Sequence, residues 1–257
     1  MLKADRRQEA YEYIRGRGSA SVAELADSLR VSVQTVRRDL DSLHEEGLVE
    51  RVHGGAVVAD GGGADPGIEH ATLERANENQ REKRRIGEAA GRLVEPGSTI
   101  YLSGGTTTEY VVPHLQANVR ITVVTNAINI ARALSRRQDI ETVVLGGYLR
   151  HSELTLLGPM AEQAIHQFRI DHALYGCFGI DPEEGLSGAS VIETAMDRAV
   201  LAIVGRVTVL ADHSKFSQRG PVRLADVSRL SALVTDGATP EGDVQRLREQ
   251  GVEVILA

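Results

Sequence analysis

Apolar residues recur at helical spacing near the start of the chain and as short continuous runs beyond Pro96. Ala10, Tyr11, Tyr13 and Ile14 predict a first helix over 6–15, ended at Gly16-Arg17-Gly18. Ser21-Val22-Ala23-Glu24 has the form of a capping box, so a short second helix through Leu25 and Leu29 starts there. Ser32 is placed to cap a third helix, SVQTVRRDLDSLHEEG, with Val33, Val36, Leu40 and Leu43 on one face and Gly47 as its stop. LVERVHGGAVVA then alternates apolar and polar positions around Gly54-Gly55, as a two-stranded hairpin would.

About three residues between the second and third helices make a helix-turn-helix pattern, whose second element presents its N-terminal residues to base edges in the major groove. The outward face of that helix holds Gln34, Thr35, Arg37 and Arg38 beside the cap Ser32. The hairpin offers a wing, with Arg51 and His53 beside Gly54 and Gly55 for phosphate or minor-groove contact. The competing reading is a small helical bundle in which Asp39 and Asp41 neutralise Arg37 and Arg38.

Residues 59–68, ADGGGADPGI, read as a flexible linker between a domain over 1–58 and another over 69–257. A long, mostly polar helix is expected from Thr72 to Val94, broken by Pro96-Gly97. Seven β-rich runs follow, STIYL, ITVVTN, ETVVLGG, DHALYG, VTVLAD, SALVTD and VEVILA, separated by helical segments such as YVVPHLQ, NIARALS and PEGDVQRLREQ. Strands apolar on both faces and alternating with helices predict a mostly parallel α/β domain covered on both sides. Ligands of such sheets sit outside the carboxyl ends of the strands.

The polar and glycine clusters fall at those ends. Ser103, Gly104, Gly105, Thr106, Thr107 and Thr108 follow a strand and open a helix, an arrangement of amides and hydroxyls suited to a phosphate. The spacing matches neither the ATP-binding GxxxxGK[ST] loop nor the dinucleotide GxGxxG. Asn126, Gly147, Arg150, Gly179 and Asp181 lie after other strands, Lys215 offers a point charge to a phosphate, and Asp181 or Glu193 can accept from sugar hydroxyls. The plainer alternatives are a turn at Asp181-Pro182, a first-turn glutamate at Glu193 and a solvated Lys215.

Charge and composition narrow the chemistry. The net charge of −7 argues for neither nucleic acid nor an anionic membrane, so any DNA contact rests on a local arrangement. No stretch approaches the roughly 18 apolar residues of a membrane span, and the charged N-terminus makes a cytoplasmic address the expectation. One cysteine, Cys177, has no companion for a disulfide or metal site. His151, His166, His172 and His213 show no ligand spacing. No nucleophile-base set emerges, and neither metal nor cofactor is expected.

SVQTVRRDLDSLHEEGLVERVHGGAVV resembles the N-terminal winged helix-turn-helix of the DeoR/GlpR family of bacterial transcriptional regulators. TLERANENQREKRRIGEAAGRLVEPGSTIYLSGGTTTEYVVPHL, TNAINIARAL, VVLGGYLR, LLGPMAEQAI and LADHSKF resemble successive blocks of that family's sensor domain, so the similarity covers nearly the whole chain. The resemblance implies a sensor fold related to ribose-5-phosphate isomerase, a phosphorylated sugar or related metabolite as effector, and double-stranded operator DNA as partner. It implies Ser103 to Thr108 as the phosphate loop, with Asn126, Gly147, Asp181, Glu193, Arg198 and Lys215 around the sugar. A homodimer or homotetramer is expected, because one small reading head makes few contacts. Two departures stand out: Gly176-Cys177-Phe178-Gly179-Ile180 where the family commonly has Gly-Ala-Asp-Gly-Ile, and Asp197-Arg198 where it often has Lys-Arg. Phe178 thus stands where an isomerase would want an acid, which favours a non-catalytic sensor over the alternatives of a sugar-phosphate isomerase with a DNA-binding head or a DNA-binding architectural protein.

Overall fold

The computed structural model describes residues 3–17, 19–46, 48–52, 54–58, 75–76 and 78–257. His53, Gly18, Gly47, the linker 59–68 and the expected helix start at Thr72 lie outside the described residues. By its contacts the chain divides into two compact units, Met1–Gly67 and Ile68–Ala257.

In the first unit, α1 (Lys3–Arg17) passes through Gly16, so the expected stop there is not used. After β1 (Ser19–Ser21), α2 (Val22–Leu29) opens on the capping box: Ser21 Oγ accepts from Glu24 N at 3.2 Å, and Ser21 N donates to Glu24 at 2.8 Å. Arg30, in the left-handed region at φ 53°, ends α2. Ser32 Oγ then accepts from Thr35 N at 3.2 Å and starts α3 (Val33–Glu45). β2 (Val49–Val52) and β3 (Gly55–Val58) form the antiparallel hairpin, and β1 pairs with the far edge of β3. Leu25, Val36, Leu40 and Val49 close the core with Ile14 of α1. Asp39 turns inward and takes two hydrogen bonds from Arg6, at 2.6 and 3.0 Å, while Asp41 lies 3.5 Å from Arg51. Neither aspartate pairs with Arg37 or Arg38, so the bundle reading loses its neutralising contacts.

The second unit opens with α4 (Gln80–Gly91), shorter than expected because Asn79 sits at φ 46° and cannot continue a helix backwards. β4 (Thr99–Leu102), α5 (Thr106–Glu109), β5 (Thr122–Thr125), α6 (Ile128–Leu134) and β6 (Glu141–Val144) follow. The expected YVVPHLQ helix is replaced by α5 and a separate 3-10 turn, Val112–His114. Pro113 near the start of that turn lacks the N–H that would extend α5 into it. Next come the hairpin β7 (Tyr148–Arg150) and β8 (Thr155–Leu157), α7 (Pro159–Ile165) and β9 (His172–Gly176). β10 (Gly179–Asp181), β11 (Gly185–Gly188), α8 (Val191–Ile203), β12 (Arg206–Leu210), β13 (Val222–Ala225), β14 (Ala232–Thr235), α9 (Glu241–Glu249) and β15 (Glu253–Leu256) complete it.

The seven expected strands form one parallel sheet in the order β15-β14-β12-β9-β4-β5-β6. Successive residues of a strand face opposite sides, and both sides are apolar. Tyr101, Tyr175, Val209 and Leu233 pack with Met196 and Val200 of α8, whereas Ile100, Leu102, Leu174 and Val234 pack with Ile86 of α4 and Ile130 of α6. This is why the strands read as continuous runs. β10, β11 and β13 form a small antiparallel sheet that the sequence reading did not anticipate. From β4 the order runs one way through β5 and β6, and from β9 the other way through β12, β14 and β15. The strand order therefore reverses between β4 and β9, and their carboxyl ends frame a crevice.

Candidate functional site

In the first unit, the start of α3 presents Gln34, Arg37 and Arg38 exposed, with Thr35 half-buried and its hydroxyl 2.9 Å from that of Ser32. Arg51 of β2 donates to the Arg37 carbonyl at 3.4 Å, which ties the wing to the helix. Val33, Arg37, Arg51, Val52 and Gly54 surround a shallow hollow between them. The two wing glycines differ in role. Gly54 makes the turn at φ 86°, whereas a Cβ on Gly55 would lie 2.3 Å from the Ala20 carbonyl oxygen, so Gly55 permits β1 to approach β3. Among the described residues Arg37 and Arg38 make no ion pair, leaving two arginines at the helix end suited to a groove.

In the second unit the crevice lies where β4 and β9 part. Ser103 N donates to the Leu174 carbonyl at 3.1 Å and Gly176 N donates to Ser103 Oγ at 2.9 Å, which pins the loop to β9. Gly105 adopts φ 143° at the start of α5, and the first amides of a helix have no intrahelical acceptor. Gly104 lies so close to β8 that a Cβ would meet Thr155 Cγ2 at 2.5 Å. Ser103, Gly104, Gly105, Thr106 and Thr107 all line the crevice, together with Asn126, Glu193 and Lys215. Lys215 lies on the 3-10 turn His213–Ser217 beyond β12, its Nζ 3.3 Å from Gln218 Oε1.

The other expected residues have structural employment. Thr108 is buried, and its hydroxyl donates to the Gly105 carbonyl at 3.0 Å. Gly147, at φ 150°, and Gly179 each leave room for neighbouring backbone, that of Leu157 and Gln218. Asp181 accepts from the amides of Glu183 and Glu184 and pairs with Arg219 at 2.8 Å, contacts that hold its carboxyl below the ordinary range despite some burial. It forms the turn that was its plainer reading. Arg198 is exposed and donates to the Arg223 carbonyl. Arg150 stands behind the lining, 3.0 Å from Glu193 and donating to Ser190 at 3.1 Å.

Arg75, Glu153, Thr155, Tyr175 and Ser187, which the sequence did not single out, complete the wall with Asp197, expected only as an acid standing where the family often has lysine. Arg75 and Glu153 form an ion pair across it. The Tyr101 and Tyr175 rings stack with centroids 6.0 Å apart; Tyr101 donates to Asn126 Oδ1 at 2.8 Å, and Tyr175 donates to Asp197. Asn126 Nδ2 in turn donates to the Leu156 carbonyl at 3.1 Å. Burial pushes the Asp197 carboxyl up to about 7, against the opposing hydrogen bond from Tyr175. One usable signal for Asp197 existed: it lies one helical turn after Glu193, on the same face of α8.

Beside the crevice, buried Asp212 receives Asn79 Nδ2 at 2.9 Å and Ser214 N at 3.0 Å. Burial opposes its ionisation, but the Ser214 bonds with Lys215 and Lys83 prevail and hold it below the ordinary range. Burial lowers Lys83, while Asp212 opposes that shift. Burial pushes the Cys177 thiol up to about 12, which leaves it a protonated filler rather than a nucleophile. Among the described residues no cluster of His, Cys, Asp and Glu could hold a metal ion, and no helix is long and apolar enough to cross a membrane.

Residues 6–61 match the DeoR-like helix-turn-helix domain and residues 78–237 the DeoR C terminal sensor domain. The chain is 30% identical over 253 residues to the putative aga operon transcriptional repressor of Escherichia coli O157:H7, covering 98% of this chain and 93% of that one. It is 30% identical over 256 residues to the glycerol-3-phosphate regulon repressor of Escherichia coli K12, covering 100% of both. Among solved structures, ribose 5-phosphate isomerase A of Methanocaldococcus jannaschii is 18% identical, covering 54% of this chain and 55% of that one, with a TM-score of 0.40.

Proposed function

Because the chain belongs to the DeoR family of transcriptional regulators, and is a DNA-binding regulator rather than an enzyme, we propose that it represses a sugar-metabolism operon under the control of a phosphorylated sugar bound in the crevice between β4 and β9. The observation that carries the reading is the Ser103–Thr107 loop, opened by two glycines at the reversal of strand order, with Lys215 beside it. A phosphate there receives backbone amides, threonine hydroxyls and one ammonium. Asn126 and Glu193 then lie within the same wall for sugar hydroxyls.

The start of α3 enters the major groove, with Thr35, Arg37 and Arg38 reaching bases and phosphates, and the wing contacts the adjoining backbone. A homodimer or homotetramer presents paired heads, since joining two weak readers makes the second contact a local event. Arg75 lines the crevice and pairs with Glu153, so a phosphate there competes with Glu153 for its guanidinium. The effector releases DNA only if it binds the weakly DNA-binding arrangement better, because equal affinity for both shifts nothing.

The test is a thermal-shift screen against phosphorylated sugars and their unphosphorylated partners, followed by operator binding with any sugar that responds. A ligand at about 100 times its dissociation constant stabilises by roughly 2.7 kcal/mol. Arg37→Ala is expected to abolish specific operator binding while keeping the thermal shift, and Thr106→Phe to do the reverse. A shift that persists in Thr106→Phe removes the loop from the reading.

A further inference from the structure

We propose that the ligand of this crevice carries a protonated amine as well as a phosphate, and that Asp197 receives the amine; the ligand class is a phosphorylated amino sugar. This rests on the crevice being the effector site. Three carboxylates stand in its wall, and they are not equivalent. Glu153 is paired with Arg75, and Glu193 lies 3.0 Å from Arg150. Asp197 has no cation among the described residues; its protein partner is the neutral hydroxyl of Tyr175, on Oδ1. Oδ2 takes no hydrogen bond from the described residues and is not sealed from the crevice, since the residue is half-buried and lines it.

The remaining cation of the lining, Lys215, lies on the 3-10 turn beyond β12 with its Nζ 3.3 Å from Gln218 Oε1, and makes no ion pair with Asp197 among the described residues. The wall thus offers two kinds of group. Amides and threonine hydroxyls gather at the loop, whereas the Asp197 carboxyl, with no counter-ion among the described residues, stands beside Tyr175. A ligand bearing phosphate alone satisfies the first kind and leaves a half-buried acid beside an incoming anion. One that adds an ammonium group neutralises that acid, and a charge-assisted bond in a wall screened from water is the stronger kind. The stacked tyrosines fix the carboxyl, since the Tyr175 ring rests on Tyr101 and Tyr101 is held by Asn126. Asp197 is therefore positioned before the ligand arrives.

Isothermal titration of the full chain with matched pairs tests this: glucosamine 6-phosphate against glucose 6-phosphate, and galactosamine 6-phosphate against galactose 6-phosphate. We expect the amine of at least one pair to bind about tenfold or more tightly, and Asp197→Asn to reduce that ratio to about twofold or less. The N-acetylated sugar phosphate, which keeps the substituent but loses the charge, is expected to forfeit the preference on the unmutated chain, so the result does not depend on a variant folding. Equal affinity within both pairs, or a preference that survives Asp197→Asn, overturns the amine assignment while leaving the phosphorylated-sugar reading intact. Failure of every phosphorylated sugar to bind overturns both.

Discussion

Asp197 makes the stability of the sensor unit depend on pH in a direction that can be isolated. Burial raises its carboxyl from the ordinary 3.8 to about 7, so the folded chain holds a proton that the unfolded chain gives up. Stability from this group is greatest at acid pH and is lost as pH rises from the unfolded value through the folded one. A shift of this size costs about 4 kcal/mol at most above both values, and the part falling between pH 5 and pH 8 is about 2.5 kcal/mol. Because the carboxyl is partly open to the crevice, roughly half of that is expected to survive screening. Asp197→Asn keeps the shape and removes the titration. The assay is the difference in melting temperature between the variant and the parent chain, in the absence of sugar phosphates, at pH 5 and at pH 8. Other titrating groups, including buried His172, whose imidazole burial lowers to about 4, are common to both chains and cancel. For a unit of this size 1 kcal/mol is about 2–4 °C, so the variant should gain on the parent by roughly 3–5 °C between the two conditions. An unchanged difference, or one that grows toward acid, would mean that Asp197 ionises as a solvated acid and that the wall leaves it no uncompensated charge.

Two further outcomes follow from the geometry. Gly55→Ala places a methyl against the Ala20 carbonyl and should destabilise the DNA-binding unit by roughly 1–3 kcal/mol, whereas Gly54→Asn, at a left-handed turn with open space around it, should be tolerated; circular-dichroism melts of the two variants check the contrast. Arg75→Gln removes the cation shared between Glu153 and a bound phosphate, and should weaken phosphorylated-sugar binding about tenfold in isothermal titration without changing operator affinity in the absence of sugar.

What the sequence made legible was what local chemistry decides. The capping box at Ser21, the cap at Ser32 and the seven strands each depend on neighbours a few residues away or on a run apolar on both faces, and all are present. The glycine-threonine loop was legible as a strand-to-helix turn for the same reason, since glycines after a strand and threonines opening a helix are adjacent in the chain. The rest of the wall was not, because its partners come from distant segments. Arg75 meets Glu153 across 78 residues, and Tyr175 meets Asp197 across 22. Polarity alone could not rank Asp181 against Asp197. Asp181 spends its oxygens on two turn amides and Arg219, whereas Asp197, visible in the sequence only as an acid in place of a lysine, lines the crevice with the neutral Tyr175 hydroxyl as its one partner among the described residues. A carboxylate already held by its own turn has little left to offer a ligand. One that folding has half buried without supplying a cation among the described residues gains most from a ligand that brings one.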